Sequence, residues 1–216
     1  APGLSSDQGG GDRIRIDRLL MLFNTATLSD TTVVSAAEID LFVIAKTNTT
    51  NDGDDFLVVL ETNPASNVAL VVADYDQFRG TDTNFPLGAD IDMQEQSSRI
   101  DLGSITTGAY NAWSFNATGI SHISKTGVSK FGMSEGHDVL DNDYPGSTDA
   151  NSIDMYTADD ATGGGGTDRD PKLVVTHAEP TSSSSSTSTS TTTSSSTSTT
   201  STSTSTTSSS TTSTST

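Results

Sequence analysis

Ala36-Ala37-Glu38-Ile39-Asp40-Leu41-Phe42-Val43-Ile44-Ala45-Lys46 is the stretch that decides the fold class. Ala37, Ile39, Leu41 and Val43 occupy every second position, with Glu38 and Asp40 between them. Successive side chains of an extended strand point to opposite sides, so this spacing gives one apolar face and one wet face. The residues therefore specify a half-buried β-strand.

The theme continues outward in both directions. Arg13-Ile14-Arg15-Ile16 alternates in the same way, and Leu19-Leu20-Met21-Leu22-Phe23 is apolar throughout, as suits a strand covered on both faces. Further on, FLVVLET (56–62), NVALVVADY (67–75), SRIDLGSI (98–105), AWSFNA (112–117), SKFGMS (129–134), SIDMYTA (152–158) and PKLVVTH (171–177) read as strands. Asn-Asp-Gly, Asn-Pro and Thr-Gly turn chemistry separates them. One helical turn is expected near GISHISK (119–125). Roughly nine or ten short strands with frequent turns predict an all-β chain. Because each sheet has an apolar face to bury, the expected architecture is a two-sheet antiparallel β-sandwich or jelly roll.

Composition divides the 216 residues into three parts. Residues 1–12 are small, polar and glycine-rich, and are expected to be a flexible lead-in. Residues 13–178 form the predicted sandwich domain, and residues 179–216 a low-complexity tail that from Thr181 onward contains only serine and threonine. That tract has no apolar groups whose burial could offset about 1 to 2 kcal/mol of backbone entropy per residue, so alone it should be disordered. Pairing with a neighbouring subunit could order it. Dense hydroxyls also suit O-linked sugars, which stiffen a chain into a stalk; Thr181 and Ser182 are the first such positions.

The chain carries 28 acidic against 10 basic residues, a net charge of −18, which disfavours nucleic acid and anionic lipid as partners. No apolar run approaches the roughly 20 residues that span a bilayer, so no membrane insertion is expected. The start Ala1-Pro2-Gly3 reads as a processed N-terminus. With no cysteine, disulfides, thiolate metal sites and a cysteine nucleophile are excluded within the sequence given.

Several segments resemble a known family. RLLMLFNTATLSDTTVVSAAEIDLFV (18–43), YNAWSFNATGISHISKTGVSKFGMSEGHD (110–138) and TDRDPKLVVTH (167–177) are similar to blocks of the DNRLRE-type, disaggregatase-related surface domains. The resemblance implies a jelly roll like that of carbohydrate-binding modules, carried by secreted or cell-surface proteins. Asn24 stands where that pattern has Asp, and the short glycine-rich lead-in replaces its opening strand. A sheet edge lacking that strand would need another partner.

The candidate sites lie in loops. Glu135, His137 and Asp138 in SEGHDVLDND (134–143) can all handle protons, but no GxSxG or HExxH motif accompanies them, and a hydrogen-bonded strand end is the expected reading rather than a catalytic site. Asp52, Asp54 and Asp55 in one loop and Asp138, Asp141 and Asp143 in another offer clustered oxygen ligands, for which calcium is the expected cation. The same residue types also serve turns. Asp159-Asp160 and Asp168-x-Asp170, around Gly163 to Gly166, read as a hairpin. Tyr75 and Tyr144 are the candidate sugar-stacking rings, whereas Trp113 and Phe115 share a strand face and belong to the core. Asn48 and Asn116 begin N-glycosylation sequons.

A capable acidic domain without a persuasive catalytic motif points away from an enzyme. The expected function is a non-enzymatic extracellular or cell-surface structural protein: a homo-oligomeric or homopolymeric subunit of a filament or layer, with a glycosylated Ser/Thr connector. The alternative is a carbohydrate-binding module of a larger secreted protein, with glycans as partners.

Overall fold

The computed structural model describes residues 3–9, 13–78, 93–140, 142, 150–158, 169–178 and 187–193. Its strands are β1 (Gly3–Gly9), β2 (Arg13–Ile16), β3 (Leu19–Asn24), β4 (Val33–Asn48), β5 (Phe56–Glu61), β6 (Ile100–Asp101), β7 (Ala109–Ser114), β8 (Val128–Glu135), β9 (Ala150–Met155), β10 (Lys172–Ala178) and β11 (Thr187–Thr193). Two short helices, α1 (Ala117–Ser121) and α2 (Gly136–Leu140), follow β7 and β8.

The strands form an all-β, two-sheet antiparallel sandwich. The larger sheet runs β11-β10-β4-β9-β1-β2, with β7 also paired to β4; the smaller runs β3-β8-β5-β6. Strand β4 organises the first sheet. Its N-terminal half pairs with β10 and β7, and beyond a register shift between Val43 and Ala45 it continues against β9. The alternation read in its sequence holds: Ala37, Ile39, Leu41 and Val43 are all buried.

Those side chains meet Met21, Phe23, Leu57, Val59, Phe131 and Met133 from the smaller sheet in the main core. Trp113 and Phe115 belong to it, and the Trp113 indole N–H donates to the Leu57 carbonyl at 3.1 Å, tying the two sheets together. Strand β5 has no alternation because it is covered twice. Leu57 and Val59 face the sandwich core, while Phe56, Val58 and Leu60 pack with Phe78, Met93 and Val139 in a second cluster.

Four segments differ from the sequence expectation. SRIDLGSI (98–105), read as a strand, pairs with β5 only at Ile100–Asp101 before a 3-10 turn at Leu102–Ser104. Residues 3–9 of the glycine-rich lead-in, expected to be flexible, form β1, because backbone hydrogen bonds to β9 and β2 do not depend on side-chain composition. Residues 187–193 of the Ser/Thr tract likewise form β11, whose seven residues pair in continuous register with β10 of the same chain. NVALVVADY, by contrast, is no strand. Val72–Asp76 is a 3-10 turn fixed by Asp74, whose carboxylate accepts from the Val71 and Ala65 N–H groups. Among the described residues, no helix is long and apolar enough to cross a membrane.

Candidate functional site

One end of the sandwich brings polar groups from both sheets together. The loop of residues 49–55 carries the chain from β4 in the larger sheet to β5 in the smaller. Asn51 (φ 48°) and Gly53 (φ 102°) adopt left-handed backbone conformations that fold it tightly. An Asx turn, with the Asp54 N–H donating to Asp52 Oδ1 at 3.0 Å, leaves Asp52 Oδ2 facing away from the loop backbone.

His137 meets that oxygen. It sits at the start of α2, immediately after β8, with its Nε2 3.0 Å from Asp52 Oδ2 and its Nδ1 2.9 Å from Glu135 Oε1. Glu135 is 1% exposed and also accepts from the His137 backbone N–H at 3.0 Å and from Asn151 Nδ2 on β9 at 2.7 Å. Thr50 Oγ and Asn151 complete this polar layer through a 2.9 Å hydrogen bond. Asp54 Oδ2 accepts from Asn142 Nδ2 at 2.8 Å. One donor atom each from Asp52, Asp54 and His137 lies within 4.8 Å of the others.

A carboxylate oxygen stands against each nitrogen of the His137 imidazole, so the protonated ring can donate to both. Burial alone pushes its pKa down, but the hydrogen bonds and charges of Glu135 and then Asp52 outweigh that cost and hold it above the ordinary histidine range. For Asp52, burial acts upward, yet the Asp54 N–H and the His137 ring hold its carboxyl below the usual carboxylate range. The ring faces two acids rather than a hydroxyl nucleophile.

The sequence-predicted ligands separate. Asp52 and Asp54 converge, with His137 as a third donor, but Asp138 turns away into a bidentate pair with Arg18, both contacts at 2.8 Å, and also accepts from Ser134 Oγ. Asp55 is engaged by Asn48 Nδ2 at 2.6 Å and the Gly53 N–H at 3.2 Å. Asp141 and Asp143 lie outside the described residues, as do Tyr144, Thr181, Ser182, Asp159, Asp160 and Asp168.

The other sequence candidates are occupied. The Arg18 guanidinium lies 4.7 Å from the centroid of the Tyr75 ring, and the Tyr75 hydroxyl donates to the Ile16 carbonyl, so this ring serves to hold Arg18. The Asn48 amide nitrogen is spent on Asp55. Asn116 caps α1, accepting from the Gly119 N–H and donating to the Glu95 carbonyl, both at 2.9 Å. A glycan would attach at the same Nδ2 that donates to Asp55 or to the Glu95 carbonyl, leaving that nitrogen one hydrogen, while the Asn116 Oδ1 cap of α1 is unaffected.

Sequence reasoning missed Arg18 and Asn151 as members of this end of the molecule. Asn151 has no local signal, since it reaches Glu135 only by the approach of one sheet to the other. Also unforeseen is an aromatic cluster on the outer face of β4, where Phe42 packs against Tyr110 and Tyr156. Arg169 lies over Phe42 and Tyr156, and Lys172 over Tyr110, so cations occupy these faces.

No family model, curated protein or solved structure matches the chain.

Proposed function

We propose that the chain is a non-enzymatic structural subunit that works outside the cell, assembling with copies of itself into a surface filament or layer. The observation that carries this reading is the run from Val68 to Val72. It is apolar and rich in β-branched residues, yet it belongs to neither sheet, and Val68 and Val72 are 92% and 94% exposed. Four of the seven large apolar residues left exposed among the described residues lie here: Val68, Leu70, Val71 and Val72. A strand-prone run that pairs with no strand among the described residues is suited to pair with, or pack on, a neighbour.

The Ser/Thr tract supports the same reading. Its residues 187–193 pair with the β10 edge through backbone bonds, a geometry that does not depend on a unique tract sequence and is equally open on the β10 of another copy. The remaining hydroxyls would carry O-linked sugars and connect or space the subunits. Against the carbohydrate-binding alternative stands the engagement of Tyr75, the described candidate ring, by Arg18.

The test is electron microscopy and light scattering of the full chain, with and without Val68→Asp and Val72→Asp together. Wild-type protein should form extended assemblies, and the double variant should remain monomeric with an unchanged melting temperature. Wild-type protein that stays monomeric in high salt at high concentration, or a variant that assembles equally well, would overturn the proposal.

A further inference from the structure

We infer that His137, Asp52 and Asp54 form a binding site for one divalent transition-metal ion of the Zn²⁺ or Mn²⁺ kind. Nε2 of His137 and one carboxylate oxygen from each aspartate would be its protein ligands. The separation of donors suits this: at bond lengths of about 2.0 to 2.2 Å, ligands of a common tetrahedral ion lie about 3.3 to 3.6 Å apart. The 3.0 Å between His137 Nε2 and Asp52 Oδ2 has only to open slightly, and all three donors already lie within 4.8 Å of one another.

The environment of the imidazole points to a metal ligand beyond a mere acidic cluster. A ligating histidine characteristically donates its second N–H to a carboxylate, which fixes the tautomer and the ring plane. Here that acceptor is Glu135, buried in the sandwich and itself held by Asn151. The ring is therefore aimed from a rigid support at two aspartates on a loop. Each aspartate keeps its position through its other hydrogen bonds, Asp52 to the Asp54 N–H and Asp54 to Asn142.

Charge and donor type narrow the ion. Glu135, Asp52 and Asp54 present three carboxylates around one imidazole, an excess that a divalent cation would neutralise by taking the place of the Nε2 proton. Calcium, the cation expected from the acidic loops, prefers six to eight oxygen ligands, whereas a nitrogen with two carboxylates suits Zn²⁺ or Mn²⁺. Bound there, the ion would cross-link the β4–β5 loop to α2 and join the two sheets at this end.

The experiment is calorimetric titration and thermal melting of the full chain after EDTA treatment and dialysis, with ZnCl₂, MnCl₂, CaCl₂ and MgCl₂ added separately. Wild-type protein should bind one Zn²⁺ or Mn²⁺ per chain and melt at a higher temperature, with little response to Ca²⁺ or Mg²⁺. Asp54→Asn is the decisive variant. Asp54 accepts from Asn142 rather than contacting His137, so a simple His137 ion pair would be indifferent to this change, while a metal site should bind at least about tenfold more weakly, as even outer-shell losses do. His137→Gln should abolish binding. Absence of binding heat and melting shift with both Zn²⁺ and Mn²⁺, preference for Ca²⁺, or equal affinity in wild type and Asp54→Asn would each overturn the assignment.

Discussion

Asp40 shows how a residue can work against the strand that carries it. It lies on β4 opposite Lys172 of β10 and Ala112 of β7, and its Oδ1 is buried without a hydrogen-bond partner. Burial and then the neighbouring Glu38 raise its pKa above the ordinary 3.8, with Lys172 offsetting part of the effect. The raised value means that the fold prefers the protonated carboxyl. Its favourable contribution is complete below the unfolded-state pKa and is lost as the pH rises through the folded-state value, so the ionised group is a burden at neutral pH. Asp40→Asn should therefore melt at a higher temperature than wild type at pH 7, with the gain disappearing near pH 3. Equal gains at both pH values in thermal denaturation would remove the ionisation argument. Arg18 shows the opposite design: both its guanidinium and its partner Asp138 are buried, and their bidentate geometry compensates each charge.

At the scale of elements, the β4–β5 loop and α2 are brought together by a close backbone approach. A Cβ built on Gly136 would fall 2.0 Å from the Asp54 carbonyl oxygen and 2.6 Å from the Phe56 ring. Gly136→Ala must push the loop away, so it should destabilise the fold by about 1 to 3 kcal/mol in urea denaturation. It should also move Asp52 off His137, which would appear in the histidine ring's NMR signals. A stable variant with unaltered ring signals would show that the loop is not held here. The Val68–Val72 run is the contrasting element. Its sequence has strand character, but the hydrogen bonds that Asp74 makes to Val71 and Ala65 draw the chain into a turn.

At the scale of the molecule, the main core is built from residues of the body, and the Ser/Thr tract touches the sandwich through β11 at one sheet edge. Removing residues 179–216 should leave the fold intact, with a melting shift of no more than about 8 °C, equivalent to roughly 2 kcal/mol in a domain of this size. It should also expose the β10 edge, which invites irregular association. Circular dichroism and light scattering of the truncated chain would check both effects; loss of the β-sheet spectrum would show that the tract is integral to folding. The charge of −18 makes any association of like subunits sensitive to ionic strength, because screening weakens their repulsion.

Local chemistry determined much of this protein. The alternation in residues 36–46 specified β4 and its buried face, since the period of a strand is set by its own backbone, whereas the double cover expected for Leu19–Phe23 falls on β5 instead: in β3 only Met21 and Phe23 are buried. Asp52 and Asp54 were legible as a pair because one tight loop holds them. What the sequence left open required distant segments to meet. Whether the glycine-rich lead-in and the Ser/Thr tract become strands depends on free sheet edges, and whether Asp138 faces a cation or Arg18 depends on packing across 120 residues. Only the closing of one sheet on the other places Asn151 against Glu135 and aims His137 at the aspartates, because hydrogen bonds and charges act through space without regard to separation along the chain.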